Sequence, residues 1–467
     1  MPYPLVAVAG PLLLALLVLL IGRRGRRGPL FAGILGGLGA LILRILLAAQ
    51  PLIADPVTGR EIAGGAYSLL GRELVMGSPH HTFLLFLYST AAVLFLLSAL
   101  WPQGAEFVPA GLVLLATTAA ALMMPQLSFG LALLLVIIGL AAILLASGRV
   151  GNSHGPRWYL LFTGLGVPFC LLAAWMLSTQ PGAWYGSIWR LLLVGLLLLL
   201  SGFPFLFWVR PVFRISAPFP TVFALSLVPL VMLLFIEPLL ALSPAVWPDS
   251  PLPTLLGQAG AIMAGIAIAL LIFTREWSGL LAYTLLADLG AVFIALSLGP
   301  AGLPVVGTLL LLRGMSLLLG GLGMKLLQPA LPHRLPGDPP PDYQTGVGLA
   351  WKQPLGALLF LLGILSLAGW PLTPGFSGRW QLLTLLWAES LPFALLLILA
   401  MLSSLIGVVR AGRYLFARSG QQPSSVRAYW TGLKPPALLA HIVLLLLLVL
   451  SLFITFFPQL LLHNALN

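Results

Sequence analysis

The chain has 467 residues, of which 60% are hydrophobic and only 7% are charged, and its net charge is +12. A water-soluble globular protein carries about 25% charged residues, so this composition excludes one, and the basic balance does not indicate a nucleic-acid partner. We predict an all-α polytopic membrane protein that is surrounded by the lipid bilayer.

Apolar runs long enough to cross about 30 Å of hydrocarbon follow one another along the whole chain. The first run is expected to be a retained helix and not a cleaved signal peptide, because no small-residue cleavage site follows it. We predict about fourteen transmembrane helices, at about 4–22, 29–53, 82–101, 106–125, 127–147, 158–178, 186–209, 219–245, 253–274, 279–298, 301–327, 354–388, 391–416 and 438–463.

Basic residues concentrate in alternate loops between these spans, as the positive-inside rule requires of cytoplasmic loops. They fall in the odd-numbered loops other than loop three, whereas in loop two Arg60 and Arg72 are roughly cancelled by Glu61 and Glu73, and Arg190, at the edge of loop six, is the exception. The residues concerned are Arg23, Arg24, Arg26, Arg27, Arg149, Arg157, Arg210, Arg214, Arg275, Lys325, Arg334, Lys352, Arg410, Arg413, Arg418, Arg427 and Lys434. We therefore predict a multi-pass protein of a bacterial cell membrane or thylakoid-type membrane, with both termini non-cytoplasmic.

Two loops are long enough to form structure of their own. Ala54–His81 is polar and is expected on the outer face as a short hairpin or an amphipathic segment. The cytoplasmic stretch Gln328–Gln353 is too rich in proline for a helix, so it either docks on a neighbouring segment or stays mobile.

Two apolar stretches, Ser201–Pro220 and Leu355–Arg379, contain proline and glycine where a membrane helix should continue. Proline removes a backbone donor and clashes with the preceding turn, which predicts a broken helix in each stretch. Freed backbone groups at bilayer depth need protein or water as partners, so a broken helix that ends on a cation favours a transport path. The interrupting residues are Pro204, Pro211, Gly369, Pro371, Pro374 and Gly375.

Four stretches carry a resemblance to a known family. They are SGFPFLFWVRPVFRISAPFP at 201–220, REWSGLLAYTLLADLGAVFIALSLG at 275–299, LSLAGWPLTPGFSGRW at 365–380 and SSLIGVVRAGRYLF at 403–416. In the same order, they resemble signature segments of the antiporter-like membrane subunits of respiratory complex I, its photosynthetic relatives and the Mrp cation/proton antiporters. The resemblance covers about residues 100–420, and the family shares the fourteen-helix topology with both ends outside.

The resemblance implies a single membrane domain, 1–467, that contains two inverted five-helix repeats. N-terminal helices 1–3 would occupy 1–103, the first repeat (helices 4–8) 104–245, the second repeat (helices 9–13) 252–418, and the last helix 438–463. Each repeat would hold one broken helix, here near 186–209 and 354–388. Charged residues at the breaks and on facing helices would form a proton path along the middle of the bilayer.

The first repeat departs from this family pattern. The span 127–147 lacks the acidic residue expected there, and Leu199 and Leu230 stand where the family places lysines. The second repeat keeps Asp288, Arg313 and Arg379 at matching positions, with aspartate in place of histidine and arginine in place of the lysine after the break. Arginine does not deprotonate in proteins, so Asp288 is the titratable member and Arg379 is expected to act as a fixed charge that tunes it.

Each candidate residue also has a structural interpretation. Arg379 could snorkel to the membrane surface or cap a helix, and Asp288 could be a structural partner that neutralises Arg313 or Arg275. Glu237 is a further candidate for the ion path, but it could instead flank the outer end of the eighth span.

We interpret the chain as a divergent antiporter-like subunit of a complex I-type (NADH/quinone oxidoreductase) membrane arm that contributes to proton or cation translocation. The alternatives are a subunit of an Mrp-type Na+/H+ antiporter, a non-conducting structural subunit of such a complex, or a stand-alone transporter. The sequence contains no nucleophile–base pair, metal-ligand cluster, haem-ligand pair or nucleotide motif. We therefore expect no cofactor in this chain, and partner subunits in the membrane would perform any redox chemistry.

Overall fold

The computed structural model describes the chain over several ranges. These ranges are residues 3–22, 28–54, 61–65, 67–69, 72–147, 154–179, 185–241, 247, 250–327, 342–417 and 435–456.

The first half of the chain is helical apart from two short hairpins. A π-helical turn, Leu5–Ala9, leads into the first α-helix, and the hairpins pair β1 with β2 and β3 with β4, both antiparallel. The elements are α1 Gly10–Gly22, α2 Gly28–Ala48, β1 Leu52–Ala54, β2 Glu61–Ala63, β3 Tyr67–Leu69, β4 Arg72–Leu74, α3 Ser78–Leu100, α4 Phe107–Leu122, α5 Leu127–Ala146, α6 His154–Thr179, α7 Tyr185–Leu199, α8 Val209–Ile215 and α9 Pro218–Ala241.

The described part of the second half consists of helices and the short loops that join them. Short 3-10 turns, Gly299–Ala301 and Tyr343–Gly346, precede two of the helices. The elements are α10 Leu252–Phe273, α11 Trp277–Ser297, α12 Leu303–Leu327, α13 Leu349–Lys352, α14 Pro354–Ala368, α15 Phe376–Glu389, α16 Leu391–Leu415 and α17 Pro435–Phe456.

The prediction of a polytopic all-α membrane protein is confirmed. In the described ranges, ten helices are long and apolar enough to cross a membrane, and four shorter apolar helices accompany them. Each of the fourteen predicted spans corresponds to one helix or to one broken helix. The spans predicted at 186–209 and 354–388 are the two broken ones, since α7 and α14 end before the segments that contain their interrupting residues. The chain is an integral multi-pass membrane protein.

The structure describes most of one long loop and only the end of the other. The segment predicted as a hairpin or amphipathic stretch contains the β3–β4 hairpin and the second strand of the β1–β2 hairpin, so the hairpin expectation was right. Of the proline-rich stretch, residues 328–341 lie outside the described residues, but the part from Asp342 onward docks on the bundle. The backbone N–H of Tyr343 donates to the Arg275 carbonyl at 2.9 Å, and the indole N–H of Trp277 donates to the Asp342 carbonyl at 3.0 Å.

Helix α11 lies at the centre of the second half, in contact with α8, α10, α12, α14 and α16. The buried share of its apolar window is 94%, against 89% for the windows of α9 and α12 and 39% for those of α2 and α16. A polar residue on α11 is therefore surrounded by protein and not by lipid.

Glycines let α12 and α14 approach closely enough to enclose α11. The backbones of Gly320 and Gly363 are in such close contact that a side chain on Gly363 would overlap Gly320, and a side chain on Gly323 would overlap the backbone of Phe360. Gly320 and Gly323 of α12 thus serve close helix packing.

Replacing Gly363 with Ala should therefore destabilise the protein by about 1–3 kcal/mol, because the helices must move apart. The matched control is Gly265→Ala on α10, where an added methyl group would contact nothing within 4 Å and alanine is the better helix former. Thermal unfolding in detergent should show a lower Tm for the first variant only. Equal Tm values for the two variants would contradict this account of the packing.

Candidate functional site

The second break, residues 369–375, is built from local backbone rules. Helix α14 ends where Gly369 adopts the left-handed conformation, with φ of +80°, which glycine accepts without strain. The N–H of Gly369 donates to the Ser366 carbonyl and that of Trp370 to the Leu365 carbonyl, both at 3.0 Å. Pro371 and Pro374 then keep the chain out of a helix until α15 begins at Phe376.

Hydrogen bonds to other parts of the protein satisfy polar groups at this break. The Ser366 hydroxyl accepts from the N–H of Gly375 at 3.1 Å and lies 2.8 Å from the hydroxyl of Ser316 on α12. The indole N–H of Trp370 donates to the Met401 carbonyl on α16 at 3.1 Å. The break is thus fastened to both neighbouring helices, as non-helical backbone at membrane depth must be.

Three charged residues that are distant in the sequence meet beside this break. Asp288 lies in the middle of α11, Arg313 in the middle of α12 and Arg379 in the first turn of α15. Arg313 Nε donates to Asp288 Oδ2 at 2.6 Å, and Arg379 Nη2 donates to Asp288 Oδ1 at 3.1 Å. The exposed fractions of the three residues are 4%, 2% and 3%, respectively. We call them the Asp288 cluster.

The Asp288 cluster is not electrically balanced. One carboxylate faces two guanidinium groups, so the cluster carries a net charge of +1 in a place that water does not solvate freely. Arg379 Nη2 also reaches the Leu367 carbonyl at the end of α14, at 3.4 Å. Arg313 Nη2 and Arg379 Nε are buried and have no hydrogen-bond partner among the described residues. The arrangement can bind, move or stabilise charge.

The break itself makes room for Arg379. A Cβ on Gly369 would lie 2.5 Å from Arg379 Cβ, so the Arg379 side chain passes directly over the glycine. The snorkelling interpretation of Arg379 was wrong, because the side chain turns into the bundle and ends on a carboxylate.

Arg313 is the partner of Asp288 that the sequence anticipated, and Arg275 is not. Arg275 is exposed, before the start of α11, and thirteen residues of helix separate it from Asp288 by about 20 Å. Glu237 is exposed near the end of α9, and no hydrogen bond or ion pair between described residues joins it to the Asp288 cluster. Of the four candidates for the ion path, three meet and Glu237 stays apart.

The first break, residues 200–208, repeats the backbone device without the charge. Ser201 takes a left-handed φ of 60°, and its hydroxyl accepts from the indole N–H of Trp208 at 3.0 Å. Pro204 lies inside this break, whereas Pro211 lies in the first turn of α8, where a missing backbone N–H is tolerated. Pro211 is therefore not a helix-breaking residue. Leu199 and Leu230 are both buried.

The hydroxyl pair Ser316–Ser366 was missed by the sequence reasoning. Ser316 Oγ donates to the Leu312 carbonyl at 2.9 Å, so the proton between the two hydroxyls belongs to Ser366. Ser316 follows Arg313 by three residues, and residues at this spacing share one helix face. That spacing was the available signal.

The folds of solved membrane complexes match this chain along nearly its whole length. A chain of the membrane-bound sulfane sulfur reductase, an archaeal respiratory membrane complex, aligns with a TM-score of 0.74 and 18% identity, over 99% of this chain and 96% of that one. A chain of the Mrp complex from Dietzia sp. DQ12-45-1b aligns with a TM-score of 0.73 and 16% identity, over 99% and 96%. A chain of respiratory complex I from Thermus thermophilus aligns with a TM-score of 0.69 and 22% identity, over 97% and 98%.

At these identities, the likeness concerns the fold. No protein-family model matches the sequence, and no curated protein matches it. The likeness to complex I and Mrp proteins that the four motifs predict is confirmed at the level of the fold.

Replacing Asp288 with Asn should lower the free energy of unfolding by about 3–5 kcal/mol, because it leaves two buried guanidinium groups without a counter-charge. Arg313→Gln should cost less, since it leaves the neutral pair Asp288–Arg379. Denaturant unfolding in detergent measures both effects.

The matched control is Glu276→Gln. It breaks the ion pair between Arg210 and Glu276, whose side chains are 47% and 22% exposed, and should cost at most about 1 kcal/mol. A loss for this control as large as that for Asp288→Asn would contradict the assignment of the stabilising charge to the Asp288 cluster.

Proposed function

We propose that this chain, which shares its fold with membrane chains of complex I and Mrp assemblies, is a divergent antiporter-like subunit of a complex I-type membrane arm that contributes to proton or cation translocation. Other membrane subunits would be its partners. The proposal includes the two five-helix repeats at 104–245 and 252–418, with both termini on the non-cytoplasmic side of a bacterial or thylakoid-type membrane.

One observation carries this proposal: a buried, charge-unbalanced cluster lies against a helix break. Ionisable side chains inside a membrane bundle are expensive to bury and usually mark an ion path. Asp288 is the one member that can take up and release a proton, because Arg313 and Arg379 keep their charges. When Asp288 is protonated, both guanidinium groups lose their counter-charge. This favours release of the proton from Asp288 or entry of another counter-charge.

The two arginines would thus act as fixed positive charges around a carboxyl group that changes its charge. They bind the two oxygens of the Asp288 carboxylate, and a change in the electric field that reaches this group would alter that contact. A neighbouring subunit could supply that change, which would couple this chain to a partner.

The apolar first break supports conduction through the second half alone. Residues 200–208 contain no ionisable side chain, and Leu199 and Leu230 bring none to the neighbourhood. We propose that the first repeat serves as a scaffold while the second repeat carries the ion path.

A structural role is the second candidate function, and the bridging geometry itself favours it. Each guanidinium group binds a different oxygen of Asp288, so the cluster holds α11, α12 and α15 together. In that case the subunit would occupy its place in the membrane arm without conducting.

Transport by the assembled complex separates these functions. The Asp288→Asn complex, reconstituted in liposomes and driven by its own substrate, should lose most of its coupled ion transport, whereas Asp288→Glu should retain part of it. Native electrophoresis measures assembly in parallel, and Gly265→Ala is the control for both assays.

If Asp288→Asn fails to assemble, the double variant Asp288→Asn/Arg313→Gln restores the net charge of +1 without the titratable group. Transport at the wild-type rate by either assembled variant would refute translocation through Asp288 and leave the structural role. Transport activity of the purified monomer in liposomes would instead support the stand-alone transporter.

A further inference from the structure

A small cavity adjoins the Asp288 cluster on the side of α12 and α14. Its polar lining consists of Asp288, Arg313, Ser316 and Ser366, and leucines of α12 and α14 together with Gly375 complete the wall. It has room for about one water-sized particle. The cavity thus brings polar side chains together beside the helix break.

The Asp288 cluster beside this cavity has a net positive charge, with Arg313 and Asp288 in the cavity wall and Arg379 behind them. Arg313 Nη2 is a buried donor without a partner among the described residues. A buried charge without a counter-charge is costly, so binding of a neutralising group at this place is strongly favourable.

No acidic side chain in the described residues supplies that counter-charge. Glu276 is paired with Arg210 at the N-terminal end of α11, twelve residues or about 18 Å from Asp288. Glu237 and Glu389 are exposed. The neutralising group must therefore come from outside the described part of this chain.

The two serine hydroxyls do not turn the cavity into a cation site. Ser366 donates to Ser316, and Ser316 donates to the Leu312 carbonyl, so their oxygens are held within a closed relay. Their remaining lone pairs would attract a cation weakly, while two nearby guanidinium groups repel it.

We propose that this cavity binds a small monovalent inorganic anion of the size of chloride. The anion would accept from Arg313 Nη2, bring the Asp288 cluster to zero net charge and sit beside the broken helix. This site goes beyond the proposed function, because anion binding at equilibrium requires neither transport nor a partner subunit.

The test uses the full-length chain in lipid nanodiscs without halide. Sodium gluconate is replaced stepwise by sodium chloride at constant ionic strength, and Tm is recorded. A ligand that binds only the folded state raises Tm with concentration, so chloride should give a saturable rise. Arg313→Gln, which leaves the neutral pair Asp288–Arg379, should abolish it. Arg210→Gln removes an exposed arginine instead and should leave the rise unchanged.

A second measurement protects the test against a variant that does not fold. Crystals of the wild-type protein grown in sodium bromide should show an anomalous peak in the cavity within hydrogen-bond distance of Arg313. Equal Tm values in gluconate and chloride, an unchanged chloride effect in Arg313→Gln, or an empty bromide map would each overturn the proposal and assign the cavity to water. A loss of ion transport in the Asp288 variants would leave these results unaffected.

Discussion

The second half of this protein depends on one carboxylate that is shared between two guanidinium groups. Asp288 binds Arg313 of α12 through one oxygen and Arg379 of α15 through the other. In a bilayer, none of these charges has a cheap alternative partner, so separating the three helices would leave charge unpaired at a cost of several kcal/mol. The packing of α11, α12 and α15 and the chemistry of the site are therefore set by the same contact.

The helix break is what brings Arg379 to that carboxylate. A continuous helix from Pro354 would carry residue 379 about 38 Å along its axis, beyond a hydrocarbon core of about 30 Å. Interrupting the helix at 369–375 shortens the path and returns the first turn of α15 to the depth of Asp288. Gly369 has two functions here, since it accepts the left-handed turn and leaves the space that the Arg379 side chain crosses.

The two helix breaks have similar backbone conformations and different side chains. Both breaks place a residue other than glycine in the left-handed region, Ser201 in the first and Leu372 in the second. The first break is closed by a hydrogen bond between Ser201 and Trp208, and its surroundings are apolar. The second is closed by the hydroxyl pair of Ser316 and Ser366 and faces the Asp288 cluster. The same fold therefore accommodates one charged and one uncharged break.

The sequence by itself determined the apolar spans and both breaks, and the resemblance of four stretches to a known family pointed to the three residues of the Asp288 cluster. Hydropathy and the conformational limits of proline and glycine are properties of short segments, so local reading suffices for them. Only the tertiary structure decided that Asp288 binds Arg313 and Arg379 together and not Arg275, that Arg379 turns inward, that Glu237 stays apart, and that two serines and a cavity join the site. Those facts depend on which helix faces meet across 25 to 91 residues of chain, and no short segment contains that information.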